Sequence, residues 1–280
     1  MIKRADRILI IVTAVILLLS LFIISPLSNL PVSLIVMSVY SADCAKEGIP
    51  AKKNIDLKIP GGGIFQKNGW YPLMLTFVPG NGFGDAVGRD CSLTILYDFP
   101  AYDFSKGCSR LYDEKDPLYS SFYGAYLVEC RDGIYGFKEN GGQLTINFAE
   151  VAAVARYDYQ NLVLADFGLD PGKAVFSYEI NEIKEDVSYV GSNGWTAVDA
   201  RLFANGCAHK KNGFIVSYMQ YGIPAFETDE PLAPAELYGR IYGKYLPEKE
   251  VSIFFYIITA DRSELEKCDA SLLSKSTLSY

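Results

Sequence analysis

The sequence predicts a mainly β protein: an N-terminal transmembrane helix, then antiparallel β-sheet domains, with a few short helices that include a C-terminal one. Three observations predict it. An apolar, charge-free stretch opens the chain after Arg7. Beyond it, short runs of β-branched and aromatic residues recur between turn residues, as strands do. Asn-Gly pairs stand at 68–69, 81–82, 140–141, 193–194, 205–206 and 212–213, and Asn-Gly suits the positive φ angles of type I′ hairpin turns.

From Ile8 to Ile24 every residue is apolar except Thr13 and Ser20, and no charge appears between Arg7 and Asp43. About 20 apolar residues cross a hydrocarbon core, so residues 8–28 are expected to span a membrane. Lys3, Arg4 and Arg7 flank the span, and positive flanks stay cytoplasmic. The expected topology is a single pass in an inner membrane, N-terminus inside and the bulk of the chain periplasmic. The run exceeds the roughly 7–15 apolar residues of a cleaved signal peptide, which favours a retained anchor. Pro26 and Pro31 are expected to end the spanning helix, leaving Leu30 to Tyr40 as an interfacial or second apolar piece.

The net charge of −7 argues against a nucleic-acid partner, which needs a basic footprint. The six cysteines, Cys44, Cys91, Cys108, Cys130, Cys207 and Cys268, all follow the apolar stretch. An even number in an exported chain reads as three disulfides. Proximity along the chain suggests Cys108–Cys130 and Cys207–Cys268, leaving Cys44 with Cys91. Zinc is disfavoured, since there is no C-x-x-C pair and His209 is the single histidine. No metal and no cofactor is expected. No Asn-x-Ser/Thr acceptor follows the anchor, which leans toward a bacterial envelope.

In order, strands are expected at 55–59, 70–78, 92–97, 122–129, 133–137, 143–148, 161–167, 173–183, 195–203, 214–221 and 251–259. The clearest helix is 261–274, where Asp261 and Glu264 form a capping-box pattern ahead of a stripe of Leu265, Cys268, Leu272 and Leu273. Residues 150–156 and 234–242 are weaker helix candidates. An internal echo pairs Lys67-Asn68-Gly69-Trp70 with Ser192-Asn193-Gly194-Trp195, and Pro100-Ala101-Tyr102 with Pro224-Ala225-Phe226. It allows a tandem pair of β domains, giving a stub and anchor at 1–43, a first domain at 44–168 and a second at 169–280, with the turn residues Asp170-Pro171-Gly172 near the boundary.

No nucleophile elbow, H-E-x-x-H, Walker loop or EF-hand is present. Any Ser–His or Cys–His chemistry would rest on His209, which sits in a basic turn. Gly61-Gly62-Gly63 lacks the following Lys-Ser/Thr of a phosphate loop and reads as a flexible connection. A carboxylate-pair hydrolase could draw on Asp85, Asp90, Glu129, Asp166 or Asp199, although ordinary surface acids account for them as well. The acidic, proline-stiffened stretch 228–236 reads as a long loop. Tyrosines cluster at Tyr112, Tyr119, Tyr123 and Tyr126, and again at Tyr238, Tyr242 and Tyr245. Tyrosine gives large contact area at low entropy cost, so Tyr238, Tyr242 and Tyr245 beside Asp229 and Glu230 form the expected binding patch. The function expected from this profile is a membrane-anchored periplasmic protein that binds a protein partner, as an immunity-type inhibitor of a secreted toxin or envelope enzyme does. The rivals are an envelope hydrolase and a structural subunit of an envelope complex.

Overall fold

The computed structural model describes residues 11–17, 20, 29–63, 68–103, 105–106, 108–163, 171–207, 210–211, 214–215 and 232–280. Strand makes up 42% and helix 30%, so the β-rich expectation holds while helix is less scarce than expected. The centre is a seven-stranded antiparallel sheet. Its strands are β2 (Leu75–Phe77), β3 (Cys91–Asp98), β6 (Phe122–Cys130), β9 (Phe176–Tyr189), β10 (Ser192–Asn205), β13 (Pro234–Leu246) and β14 (Val251–Thr259). They lie in the order β2-β3-β6-β14-β13-β10-β9. Small two-stranded pairs surround it: β1 (Asp56–Lys58) with β15 (Thr277–Ser279), β4 (Tyr102–Asp103) with β5 (Cys108–Ser109), β7 (Phe137–Asn140) with β8 (Gln143–Ile146), and β11 (Lys210–Lys211) with β12 (Phe214–Ile215).

Two up-and-down meanders build the sheet, β2-β3-β6 from the first half and β9-β10-β13-β14 from the second. They join where β6 pairs with β14, from Val251↔Glu129 to Ile258↔Phe122. The ranges 44–168 and 169–280 therefore both supply strands to one sheet. The echoed Trp70 and Trp195 are both fully buried on the same face.

Every residue of β14 is buried, which is why Ile253 to Ile258 is a continuous apolar run and not an alternating one. Side chains still alternate between faces. Phe254, Tyr256 and Ile258 meet one cluster with Val151 and Val154, while Ile253, Phe255 and Ile257 meet the other with Leu265 and Leu272. Helix α5 (Phe148–Asp158) and the β7–β8 hairpin cover the first face. Helix α6 (Arg262–Ser271), the short helix α3 (Ile49–Lys53) and the adjoining Ile55 and Ile59 cover the second. Burying each such aromatic or aliphatic side chain contributes roughly 1.5–3 kcal/mol.

Of the expected membrane span, residues 11–17 are described as a helix (α1) and the remainder, apart from residue 20, lies outside the described residues. Ile11, Val12, Val15, Ile16 and Leu17 are exposed. Among the described residues no helix is long and apolar enough to cross a membrane, so the expected transmembrane helix has no support in the fold. Leu30 to Tyr40 belongs to helix α2 (Asn29–Glu47). Pro31 falls in its first turn, where a missing N–H costs nothing; there it helps begin a helix. The helix continues through Asp43 and Cys44, so the expected division at 43/44 lies inside it. It also covers one sheet edge: the Thr76 N–H donates to Ser41 Oγ (2.7 Å), and Tyr40 packs on Phe77 with ring centroids 5.8 Å apart. Helix α4 (Gly82–Val87) packs against β3.

Several local expectations are corrected. Residues 234–242 are the start of strand β13 and not a helix. A π-helical turn occupies Tyr159–Val163, in place of a strand; residues 164–167 lie outside the described residues. At the β7–β8 and β9–β10 hairpins the two-residue tip is not an Asn-Gly pair; Asn212-Gly213, between the paired residues Lys211 and Phe214, lies outside the described residues. Val190-Gly191 makes the β9–β10 turn with positive φ at both residues, and Gly141-Gly142 makes the β7–β8 turn. Asn193-Gly194 instead sits in a register shift of β10. Close approach explains Gly61 and Gly62, and a φ of +82° explains Gly63. A Cβ on Gly62 would come 2.0 Å from the Trp70 carbonyl oxygen, and one on Gly61 2.7 Å from that of Pro72.

The cysteine framework also differs. Cys91 and Cys130 are bonded, with Cα atoms 4.1 Å apart, because they stand directly opposite in the β3–β6 register. That replaces the expected Cys108–Cys130 and Cys44–Cys91 pairs. Cys44, Cys207 and Cys268 are free thiols buried in separate places, on α2, after β10 and on α6, so Cys207–Cys268 is not a bridge. The Cys108 side chain lies outside the described residues.

Candidate functional site

A cleft of about 710 Å³ opens between α6 and the segment 110–118, and its groups come from three distant parts of the chain. Segment 110–118 is held by its own side chains. Ser109 Oγ accepts from Leu111 N (3.3 Å) and caps the 3₁₀ turn Arg110–Tyr112. Asp116 Oδ1 accepts from Leu118 N (3.0 Å), and Lys106 Nζ bridges Asp113 (2.6 Å) and Asp116 (3.4 Å). Those bonds aim Arg110 into the cleft, with Nη1 3.7 Å from Asp116 Oδ2.

The second wall is α6. Asp261 caps it, accepting from Ser263 N (2.7 Å) and Glu264 N (3.3 Å), which bears out the expected helix start. Glu264 does not reach back to complete a capping box; its carboxylate holds Lys267 at 2.5 Å. Both residues line the cleft, with Ala270 and Ser271 beyond them. Cys268 lies buried at the base, and burial pushes its thiol well above the usual range.

The floor is Trp70, placed by its bridge to Pro100 and by an edge-on contact with Tyr123 at 4.9 Å. The Tyr123 hydroxyl donates to Pro60 O (2.6 Å) and lies 3.1 Å from Asp98 Oδ2. Burial raises the Asp98 carboxyl well above the carboxylate range, opposed in part by Tyr123.

The expected tyrosine patch does not assemble. In a strand, Tyr238 and Tyr242 share one face and Tyr245 points to the other, and the packing agrees. The Tyr242 hydroxyl donates to Asp269 (2.6 Å) and its ring stacks on Tyr189 at 3.6 Å, which pins α6 to the sheet. Asp229 and Glu230 lie outside the described residues, as does His209. Tyr112, Tyr119, Tyr123 and Tyr126 are core residues.

Among the acid candidates, Asp90 faces Arg131, Glu129 faces Lys53 and Asp199 faces Arg240. Asp85 sits in the first turn of α4, and Asp166 is outside the described residues. Cys91, Cys130 and Asp132 come close enough to suggest a metal group. The two sulfurs are bonded to each other, however, and Arg89 takes the Asp132 carboxylate. Arg110 and Lys267 carry no local sequence signal; Glu264 stood out only as a capping-box residue and Trp70 through the internal echo. Compared with protein-family profiles, curated proteins and solved structures, the chain matches none.

Proposed function

We propose that this chain is a membrane-associated, extracytoplasmic binding protein that captures a protein partner in the cleft between α6 and segment 110–118. The carrying observation is the state of the charged groups lining that cleft. Glu264 is neutralised by Lys267, and Asp116 by Lys106 with Arg110 nearby. A general base needs a carboxylate free to take a proton; paired carboxylates beside an indole floor offer contacts. The Cys91–Cys130 bond fits an oxidising compartment. The exposed apolar side chains of α1, behind Lys3, Arg4 and Arg7, fit a lipid neighbour. Occluding a secreted toxin or envelope enzyme is the activity that such capture serves.

A hydrolase remains the second reading, because Asp116 and Glu264 line one cleft; their ion pairs weigh against it. The test compares the full chain in detergent micelles with a cleft-filling Ser271→Trp variant, using periplasmic extract as the source of partner. The wild type is expected to retain a specific protein that Ser271→Trp loses, with both proteins melting alike. Equal retention by the two removes the cleft as the binding site. Turnover of an envelope glycan, lost in Glu264→Gln, would establish the hydrolase instead.

A further inference from the structure

We infer that the cleft recognises the free C-terminal carboxylate of a peptide chain ending in an apolar residue, with Arg110 as its receptor; this deepens the cleft reading and rests on it. Four charged side chains line the cleft, and three are committed. Lys267 is held by Glu264 at 2.5 Å, and Asp116 is satisfied by Leu118 N and Lys106. Arg110 is different. Among the described residues its one ion pair is the 3.7 Å approach to Asp116, beyond hydrogen-bond distance, and its guanidinium makes no hydrogen bond. Asp116 thus positions the guanidinium electrostatically and leaves its donors unspent. A planar fork with free donors matches a carboxylate in bidentate geometry.

The surroundings select the ligand. Gly69 has φ +77°, and a Cβ there would press on Leu118 Cδ1 at 2.8 Å and stand 3.7 Å from Arg110 Nη1. The glycine keeps the approach to the guanidinium open. Trp70, Pro117, Leu118 and Ala270 supply an apolar wall for the side chain next to the carboxylate. Arg110 and Lys267 balance Asp116 and Glu264, so the lining is neutral overall. In a neutral lining a phosphate dianion loses more hydration than a carboxylate monoanion and has only Arg110 to offset it. The volume of about 710 Å³ suits several residues of an extended chain end.

The probe is the peptide acetyl-Ala-Ala-Leu, as the free acid and as the C-terminal amide, titrated calorimetrically into the full chain in detergent micelles. The acid is expected to saturate the protein, with the amide at least tenfold weaker and inorganic phosphate failing to compete. Arg110→Gln is expected to erase the difference between acid and amide, and Arg110→Lys to keep part of it. Equal binding of the two peptides, no saturable binding of the acid, an undiminished preference in Arg110→Gln, or displacement by phosphate would each overturn the inference. The capture experiment separates the two ideas. If Ser271→Trp still loses its partner while acid and amide bind alike, the carboxylate is wrong and the cleft survives. If Ser271→Trp keeps its partner, the cleft reading itself is gone.

Discussion

Helices α5 and α6 lie on opposite faces of the sheet and are fastened by the same device with one component changed. On one face Asp158, at the end of α5, accepts from the hydroxyls of Tyr97 and Tyr126, the latter at 2.6 Å. On the other, Asp269 of α6 accepts from Tyr189 (3.0 Å) and Tyr242 (2.6 Å). The change is a cation. Arg240 grips Asp199 through two bonds of 2.6 and 2.8 Å and reaches Glu266 (2.9 Å) and Asp269 (3.0 Å). Asp158 has no basic contact among the described residues and is fully buried, and burial lifts its carboxyl to about 7 against the pull of the two hydroxyls. A buried carboxylate can be kept either by bringing its counter-charge inside or by letting it hold its proton. The first makes the fastening depend on a partner residue; the second makes it depend on pH.

Removing the cation should give the largest effect. Arg240→Met leaves Asp199 and Asp269 without their counter-charge, and stability in urea should fall by about 3–5 kcal/mol. A loss below ~1 kcal/mol would show that Arg240 does not hold α6.

Asp158→Ala deprives two buried hydroxyls of their acceptor and should cost about 2–4 kcal/mol. Asp158→Asn is milder and isolates the proton. Because the folded carboxyl binds its proton up to about pH 7, and an unfolded aspartate only to ~3.9, the native state carries the extra proton between those values. The contribution is therefore complete below about pH 4 and is lost as pH rises to about 7, by at most ~1.4 kcal/mol per pH unit. The difference in unfolding free energy between wild type and Asp158→Asn should shrink across that window. Parallel pH curves would mean that Asp158 does not titrate there.

The smallest effect separates the fastenings hydroxyl by hydroxyl. Tyr242→Phe should cost about 1 kcal/mol, since Asp269 keeps Tyr189 and Arg240. Tyr126→Phe should cost more, since Asp158 then keeps Tyr97 alone. The reverse order would break the comparison.

How much of this was legible follows from which forces act locally. Strand β14 was read to the residue, because burial on both faces writes itself as an apolar run. The Asp261 cap was legible because its partners stand two and three residues away. Strand β13 was mistaken for a helix because Tyr238 and Tyr242 share a face at a spacing of four under either period. Cys91–Cys130 was missed for a different reason: chain proximity favours Cys108, and only the β3–β6 register puts Cys91 opposite. The cleft was invisible for the same reason. Arg110, Glu264 and Trp70 meet through the order of strands, and strand order is not a local property.

The β6–β14 junction has a consequence in time. Each meander is made of neighbours in sequence and can zip locally, whereas the central ladder joins strands from opposite halves of the chain, the kind of contact that closes slowly. During synthesis the first meander emerges with β6 as a raw edge, its backbone groups unpaired beside Phe122, Tyr126 and Leu127. That edge waits until Val251 to Thr259 has been made. An edge of that kind recruits other chains, so the nascent protein is vulnerable to aggregation until β14 arrives. A chaperone holding residues 122–130 through that interval is expected to raise yield without altering the stability of the finished fold.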